Sequence, residues 1–179
     1  MPAPVRIEVL ASLGATEIAG LGEVLIDCVE GGASGSFMLP ITRAKADAYW
    51  AGVGAAISRG ECLVLAAYDV AGKITGTVSV LLSQPENQPH RADIAKMLVH
   101  RRARRQGIGA QLLTAAESAA VRAGKSLLVL DTASGDAERL YARVGWQRVG
   151  EIPDYALWPA GGLVATTVFY KRIGAAATP

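Results

Sequence analysis

Cysteine and histidine are scarce in this chain. Cys28 and Cys62 stand alone with no Cys-x-x-Cys pair, and His90 and His100 are the sole imidazoles among 179 residues. A zinc site needs about four Cys, His or carboxylate ligands at short spacings, and a small secreted domain needs several paired cysteines, so neither a metal centre nor a disulfide framework is expected. No stretch of eighteen apolar residues is present, which argues against a membrane-spanning helix. The opening MPAPVRIEVLASLGATE has no uninterrupted apolar core behind a basic start, unlike a secretory leader. Charge of one sign is also missing: 18 Lys and Arg against 16 Asp and Glu leave +2, so no overall field steers the chain toward nucleic acid or membrane. With 51% hydrophobic and 19% charged residues, the composition is that of an ordinary globular protein. One domain over residues 1–179, in the cytoplasm, is the expectation.

The hydrophobic pattern alternates between strand and helix periods and predicts a mixed α/β domain. VRIEVL, residues 5–10, reads as a first strand, followed by a helix over Ile18–Val29 that stops at Gly31-Gly32. GGASGSF, residues 31–37, is a loop, either a plain connector or a flexible rim over a substrate pocket. Thr42 can cap a second helix to about Ser58 that carries Tyr49 and Trp50. Strands follow over 61–70 and 74–83, then the loop QPENQP, a strand DIAKMLVH over 93–100, and a helix from Gly107 to about Ala123 with Gly124 as its C-terminal cap. A strand over 125–132 completes a strand-helix-strand unit, which implies a parallel pair. Ser134 can cap a short helix over 136–145, and strands over 146–152 and 163–172 flank a loop containing Tyr155.

The stretch most suggestive of chemistry is the turn between the third of these helices and the strand before it. Arg104-Arg105-Gln106-Gly107-Ile108-Gly109-Ala110 puts glycines where a helix begins, so unpaired N–H groups of the first turn can converge on an anion with no Cβ in the way. The helix dipole favours a phosphate there. A dinucleotide fold would want a third glycine where Leu112 stands. The run Arg101, Arg102, Arg104, Arg105 also admits a nucleic-acid patch or a solvated basic surface.

Arg104, Gly107 and Gly109, with Ala110 following, resemble motif A of the GCN5-related N-acetyltransferases, which binds the pyrophosphate of acetyl-coenzyme A. Ser134, Ala137, Leu140, Tyr141, Gly145 and Trp146 resemble motif B, with Ser134 where asparagine is usual. GGASGSFM at 31–38, HRADIAKMLV at 90–99, LLVLDT at 127–132 and VGEIPDY at 149–155 are similar to the tabtoxin-resistance acetyltransferases of that superfamily. The resemblance implies a single mixed, mostly antiparallel sheet flanked by helices, with a splayed central parallel pair. It implies transfer of an acetyl group from acetyl-CoA, without a metal, to a small amine such as an amino-acid-like toxin or antibiotic, by a monomer or homodimer. The coenzyme would lie along Met97, Leu98 and Val99, with its phosphates at Arg104, Arg105, Gln106, Gly107, Ile108, Gly109 and Ala110, and with Ser134 and Tyr141 beside it.

Tyr141, protonated near neutrality with a reference pKa of about 10, is the candidate general acid, although helical periodicity equally permits a core tyrosine. Asp93 and Asp131 are candidates for a base, a water relay or a site for the acceptor's cation, and Ser34, Phe37 and Tyr155 are expected on the acceptor side. Transfer to a protein amino group, and a non-catalytic acyl-CoA sensor, remain alternatives.

Overall fold

A computed structural model describes residues 5–174; residues 1–4, which open the amino-terminal stretch read above, and 175–179 lie outside it. The elements are β1 Arg6–Val9, α1 Ala15–Glu30, α2 Arg43–Ser58, β2 Cys62–Tyr68, β3 Ile74–Leu81, β4 Arg91–Val99, a 3-10 turn Arg101–Ala103, α3 Ile108–Arg122, β5 Leu127–Thr132, α4 Gly135–Arg143, β6 Gln147–Leu157 and β7 Leu163–Arg172. Local chemistry accounts for the helix starts. Gly14 N–H donates to the Glu17 carboxylate at 2.9 Å, which begins α1 three residues earlier than its apolar stripe suggests. Thr42 accepts from Lys45 N–H at 3.2 Å, and Ser134 from Ala137 N–H at 3.4 Å.

The strands form one sheet in the order β1-β2-β3-β4-β5-β7-β6, antiparallel except between β4 and β5. This is the mixed, mostly antiparallel sheet expected. On one face α1 and α2 bury Leu21, Val24, Leu25, Val29 and Trp50 against Val64, Ala66 and Leu98. On the other, α3 and α4 bury Leu112, Leu113, Ala116 and Tyr141 against Val78, Val80, Leu128, Leu130 and Phe169. Each large side chain so buried contributes about 1.5–3 kcal/mol of transfer free energy, which makes this two-sided core the main source of stability. No helix among the described residues is long and apolar enough to cross a membrane.

Two of the sheet's register shifts bear on the site. Along β3 and β4, Thr77 pairs with Leu98 but Ser79 with Ala95, so Val78 stands opposite both Lys96 and Met97. Lys96 takes the extra residue of this bulge with φ 48°. The other lies in β6, whose pairing jumps from Ile152↔Thr166 to Ala156↔Val164 around Pro153 and Asp154, the latter at φ 54°. The sequence places the end of this strand at 152, before a loop containing Pro153. On an edge strand the missing donor can face outward, so β6 continues through the bulge to Leu157 and Tyr155 lies on a strand rather than in a loop.

Between β4 and β5 the pairing covers only Arg91↔Leu127, Ala92↔Leu128 and Asp93↔Val129. Beyond these the strands part, and the rest of β4 and β5 face a gap. Gly76 of β3 sets how closely α3 approaches this region: a Cβ there would meet Leu112 Cδ1 and the Leu98 carbonyl oxygen at 3.1 Å and Ile108 Cγ2 at 3.3 Å. Gly76→Val should therefore lower unfolding free energy by about 1–3 kcal/mol, the usual cost of overpacking, read from denaturant midpoints. Unchanged stability would mean that α3 is free to shift away from the sheet.

Candidate active site

The chain leaves β4 through His100, whose Nδ1 accepts the Arg102 N–H at 3.2 Å, and enters α3 through Gly107 at φ 77°. That left-handed conformation costs a residue with a Cβ about 1–2 kcal/mol, so glycine is required by the backbone. No side chain caps the first turn of α3. Its N–H groups are therefore left for solvent or an anion. Gly109 has a different reason to be glycine. A Cβ there would meet Leu140 Cδ2 at 2.9 Å and Met97 Cε at 3.3 Å, so its smallness lets α3 touch α4 and β4.

The four arginines do not act as one patch. Arg101 donates to Asp27 through its backbone N–H at 2.8 Å and its Nε at 3.0 Å, and Arg102 donates to Glu23 at 2.6 Å and to the Ile74 carbonyl at 3.2 Å. Both bind the turn to α1. Burial works to raise the Asp27 pKa, but the Arg101 N–H and guanidinium outweigh it and hold the carboxyl below its ordinary value. Glu23 is held down chiefly by its hydrogen bond from Arg102. Arg104 Nε caps the Val99 carbonyl at 3.1 Å, an oxygen that also accepts from the Cys28 thiol at 3.4 Å. Arg105, exposed at φ 61°, lies directly before the glycine turn. A nucleic-acid surface built on all four charges is thus not what the fold presents.

Around the gap, Asp93 is ion-paired with Arg91 and accepts from Gln84 Nε2 at 3.2 Å. Asp131 is exposed, with Oδ2 accepting from Thr166 Oγ1 at 2.7 Å. Tyr141 is 4% exposed, its ring 5.7 Å from Phe169 and 5.9 Å from Trp146. Burial, with a smaller contribution from the Asp131 carboxylate, pushes its phenol well above the ordinary value. Core tyrosine and candidate acid are therefore the same residue. Ser134, as cap of α4, has its hydroxyl engaged with Ala137 N–H.

On the acceptor side, Phe37 packs edge-on to Tyr49 at 5.3 Å, while Ser34 and Tyr155 are exposed, the latter by 55%. Leu39 N–H donates to the Pro159 carbonyl at 2.9 Å, tying the α1–α2 loop to the β6–β7 loop. One residue escaped the sequence reading. Lys96 Nζ lies 3.3 Å from Ser36 Oγ, 5.3 Å from the centroid of Tyr49 and 5.8 Å from that of Phe37. Its signal was a cation in the middle of the otherwise apolar β4 run IAKMLV. Among the described residues no three or more Cys, His, Asp or Glu side chains gather as a metal site would require.

The sequence model of the Acetyltransferase (GNAT) family matches residues 36–146, which span α2, the gap between β4 and β5, α3 and α4. The chain belongs to the GNAT acetyltransferase family. Solved structures similar to this acetyltransferase include yncA from Salmonella typhimurium with its cofactor acetyl-CoA, at 18% identity and TM-score 0.79 over 99% of this chain and 98% of that one. A GNAT superfamily phosphinothricin acetyltransferase from Sinorhizobium meliloti in complex with acetyl-CoA is 16% identical, with TM-score 0.79 over 100% and 93%. Ribosomal-protein-alanine N-acetyltransferase from Brucella melitensis is 20% identical, with TM-score 0.74 over 95% and 99%. At these identities the likeness is one of fold.

The α1 anchor of the turn carries a pH signature. Because the Asp27 pKa is lowered in the fold, its contribution is present above the unfolded-state value near 3.8 and is lost as pH falls through the lower folded value. Asp27→Asn should cost about 1–2 kcal/mol at neutral pH, given that Arg101 is half exposed, and should lose less further stability than the parent between roughly pH 4 and pH 2. Melting temperatures across that range decide the point; parallel curves for the two proteins would remove Asp27 from the anchor.

Proposed function

We propose that this acetyltransferase moves the acetyl group of acetyl-CoA to the amine of a small molecule, an amino-acid-like toxin or antibiotic as in the tabtoxin-resistance acetyltransferases, and that residues 1–179 form one catalytic domain working in the cytoplasm. The observation that carries the reading is the gap between β4 and β5 beside the uncapped first turn of α3. The free edge of Met97–Val99 can pair with the pantetheine arm as an added strand, while α3 and Arg105 face its pyrophosphate. The Leu39–Pro159 hydrogen bond closes the rim on the acceptor side, which favours a small acceptor over a polypeptide.

In this reading the amine nitrogen attacks the thioester carbon, a C–N bond forms, and the C–S bond breaks with the electron pair leaving on sulfur. Both Asp93 oxygens have partners in Arg91 and Gln84, whereas Asp131 has only Oδ2 engaged. Asp131 is therefore assigned to take the amine's proton, directly or through a water, and Asp93 to shape the site. Tyr141 then protonates the thiolate. Since the Asp131 charge raises the Tyr141 pKa, neutralising Asp131 eases proton release from the phenol, which couples the two transfers in the productive order.

A panel of small amines with acetyl-CoA, read by free thiol release, tests the reading; no thiol release with any of them would refute it. Gly107→Val should weaken coenzyme binding at least about tenfold in calorimetry, because the left-handed turn that aims the N–H groups is lost. Tyr141→Phe keeps the ring packing and removes the proton, so turnover should fall by about 10²- to 10⁴-fold with coenzyme affinity intact. Normal turnover in Tyr141→Phe would leave the phenol a core residue and the thiolate protonated by water.

A further inference from the structure

Lys96 is a half-buried cation with no carboxylate within ion-pair distance among the described residues. Removing an ammonium from water without a counter-charge is costly, and the faces of Phe37 and Tyr49 offset only about 0.5–2 kcal/mol of it. The backbone at Lys96 is also strained, at φ 48° in a bulge that turns its side chain toward α2 rather than into the α3 layer. Lys45 Nζ, 5.8 Å from the Phe37 centroid, adds a second positive charge at the same rim. Burial holds the Lys96 pKa below the ordinary lysine value, against the pull of Asp131.

Behind Tyr49, between α2 and the strands β2 and β3, lies a cavity of about 570 Å³ lined mainly by small and apolar residues, among them Gly52, Val53, Ala56 and Leu81, with one carboxylate, Glu61, whose charge is paired with Arg59 at 2.7 Å. Its lining includes Ser79, 2% exposed, whose hydroxyl has no hydrogen-bond partner. Ser79 pairs with Ala95 and Leu81 with Asp93, so the cavity adjoins the part of β4 that borders the gap. The volume suits a ligand of amino-acid size or somewhat larger.

We propose that Lys96 holds an anionic group of the acceptor, a carboxylate, and that the cavity behind Tyr49 receives the acceptor's uncharged body. The inference rests on the acetyltransferase reading and narrows its acceptor to an amine that also bears a negative charge. Lys96 is here a specificity residue and takes no part in proton transfer.

The test pairs amines that differ by one carboxylate: L-phenylalanine with phenethylamine, and L-leucine with isoamylamine. The wild type should favour the carboxylate member of each pair by at least about tenfold in kcat/KM. Lys96→Met, unbranched and uncharged, should lower kcat/KM for that member by about 10²-fold through KM, as expected when one partner of a desolvated charge pair is removed, and change the neutral member less than about threefold. Gly52→Leu, a good helix former on α2, should keep the fold and exclude phenylalanine from the cavity. Preference of the wild type for neutral amines, or an equal loss for both members in Lys96→Met, would overturn the proposal. A second readout is independent of turnover: the Lys96 13Cε signal, assigned by its absence in Lys96→Met, should shift on adding N-acetyl-L-phenylalanine. A shift without turnover of any amine would uphold the anion site and defeat the transferase reading alone. Turnover without a shift would do the reverse, and neither shift nor turnover would defeat both.

Discussion

The structure depends on how little of β4 and β5 is paired. Two parallel strands in the middle of a sheet would ordinarily satisfy each other along their full length, and an interior strand edge left open is an energetic liability. Here three residue pairs hold them together at Arg91–Asp93, and each strand keeps its other neighbour, β3 or β7, well past that point. The gap persists because β3 and β7 bind the strands from outside while α3 and α4 are packed beneath it. An acyl chain with amide groups is the kind of molecule that can complete such an edge.

The charges near the gap divide into those ion-paired within the fold and those that are not. Arg101 and Arg102 are committed to Asp27 and Glu23 of α1, which fixes the 3-10 turn and so the direction in which α3 begins. Arg91 is committed to Asp93. Arg105, Lys96 and the open oxygen of Asp131 have no such partners in the described residues, and they sit at the turn, on the rim side and at the end of β5 respectively. In a chain whose net charge is only +2, this placement matters more than the total.

Tyr141 shows why fold and chemistry are hard to separate at this site. Its ring fills the space between Phe169 and Trp146, and the burial that stabilises α4 also raises its pKa. A phenol so placed holds its proton more tightly than an exposed tyrosine does. Packing and the raised pKa draw on one cause, the burial of the ring against Phe169 and Trp146.

Periodicity, caps and turn glycines made the element order legible in the sequence, because Thr42, Ser134, Gly107 and Gly124 act through contacts within four residues of themselves. The glycine-opened α3 belongs to the same local physics. The strand continuing past Pro153, the packing role of Gly109, the separation of Arg101 and Arg102 from Arg104 and Arg105, and the position of Lys96 were not legible. Each depends on a partner far away in the chain: β7 beside the edge strand, Leu140 above Gly109, Asp27 and Glu23 on α1, and Tyr49 opposite a bulge whose extra residue is set by pairing with β3. A motif names the residues that meet a ligand through their own backbone, but side chains whose roles come from long-range neighbours acquire them only when the sheet has brought those neighbours together.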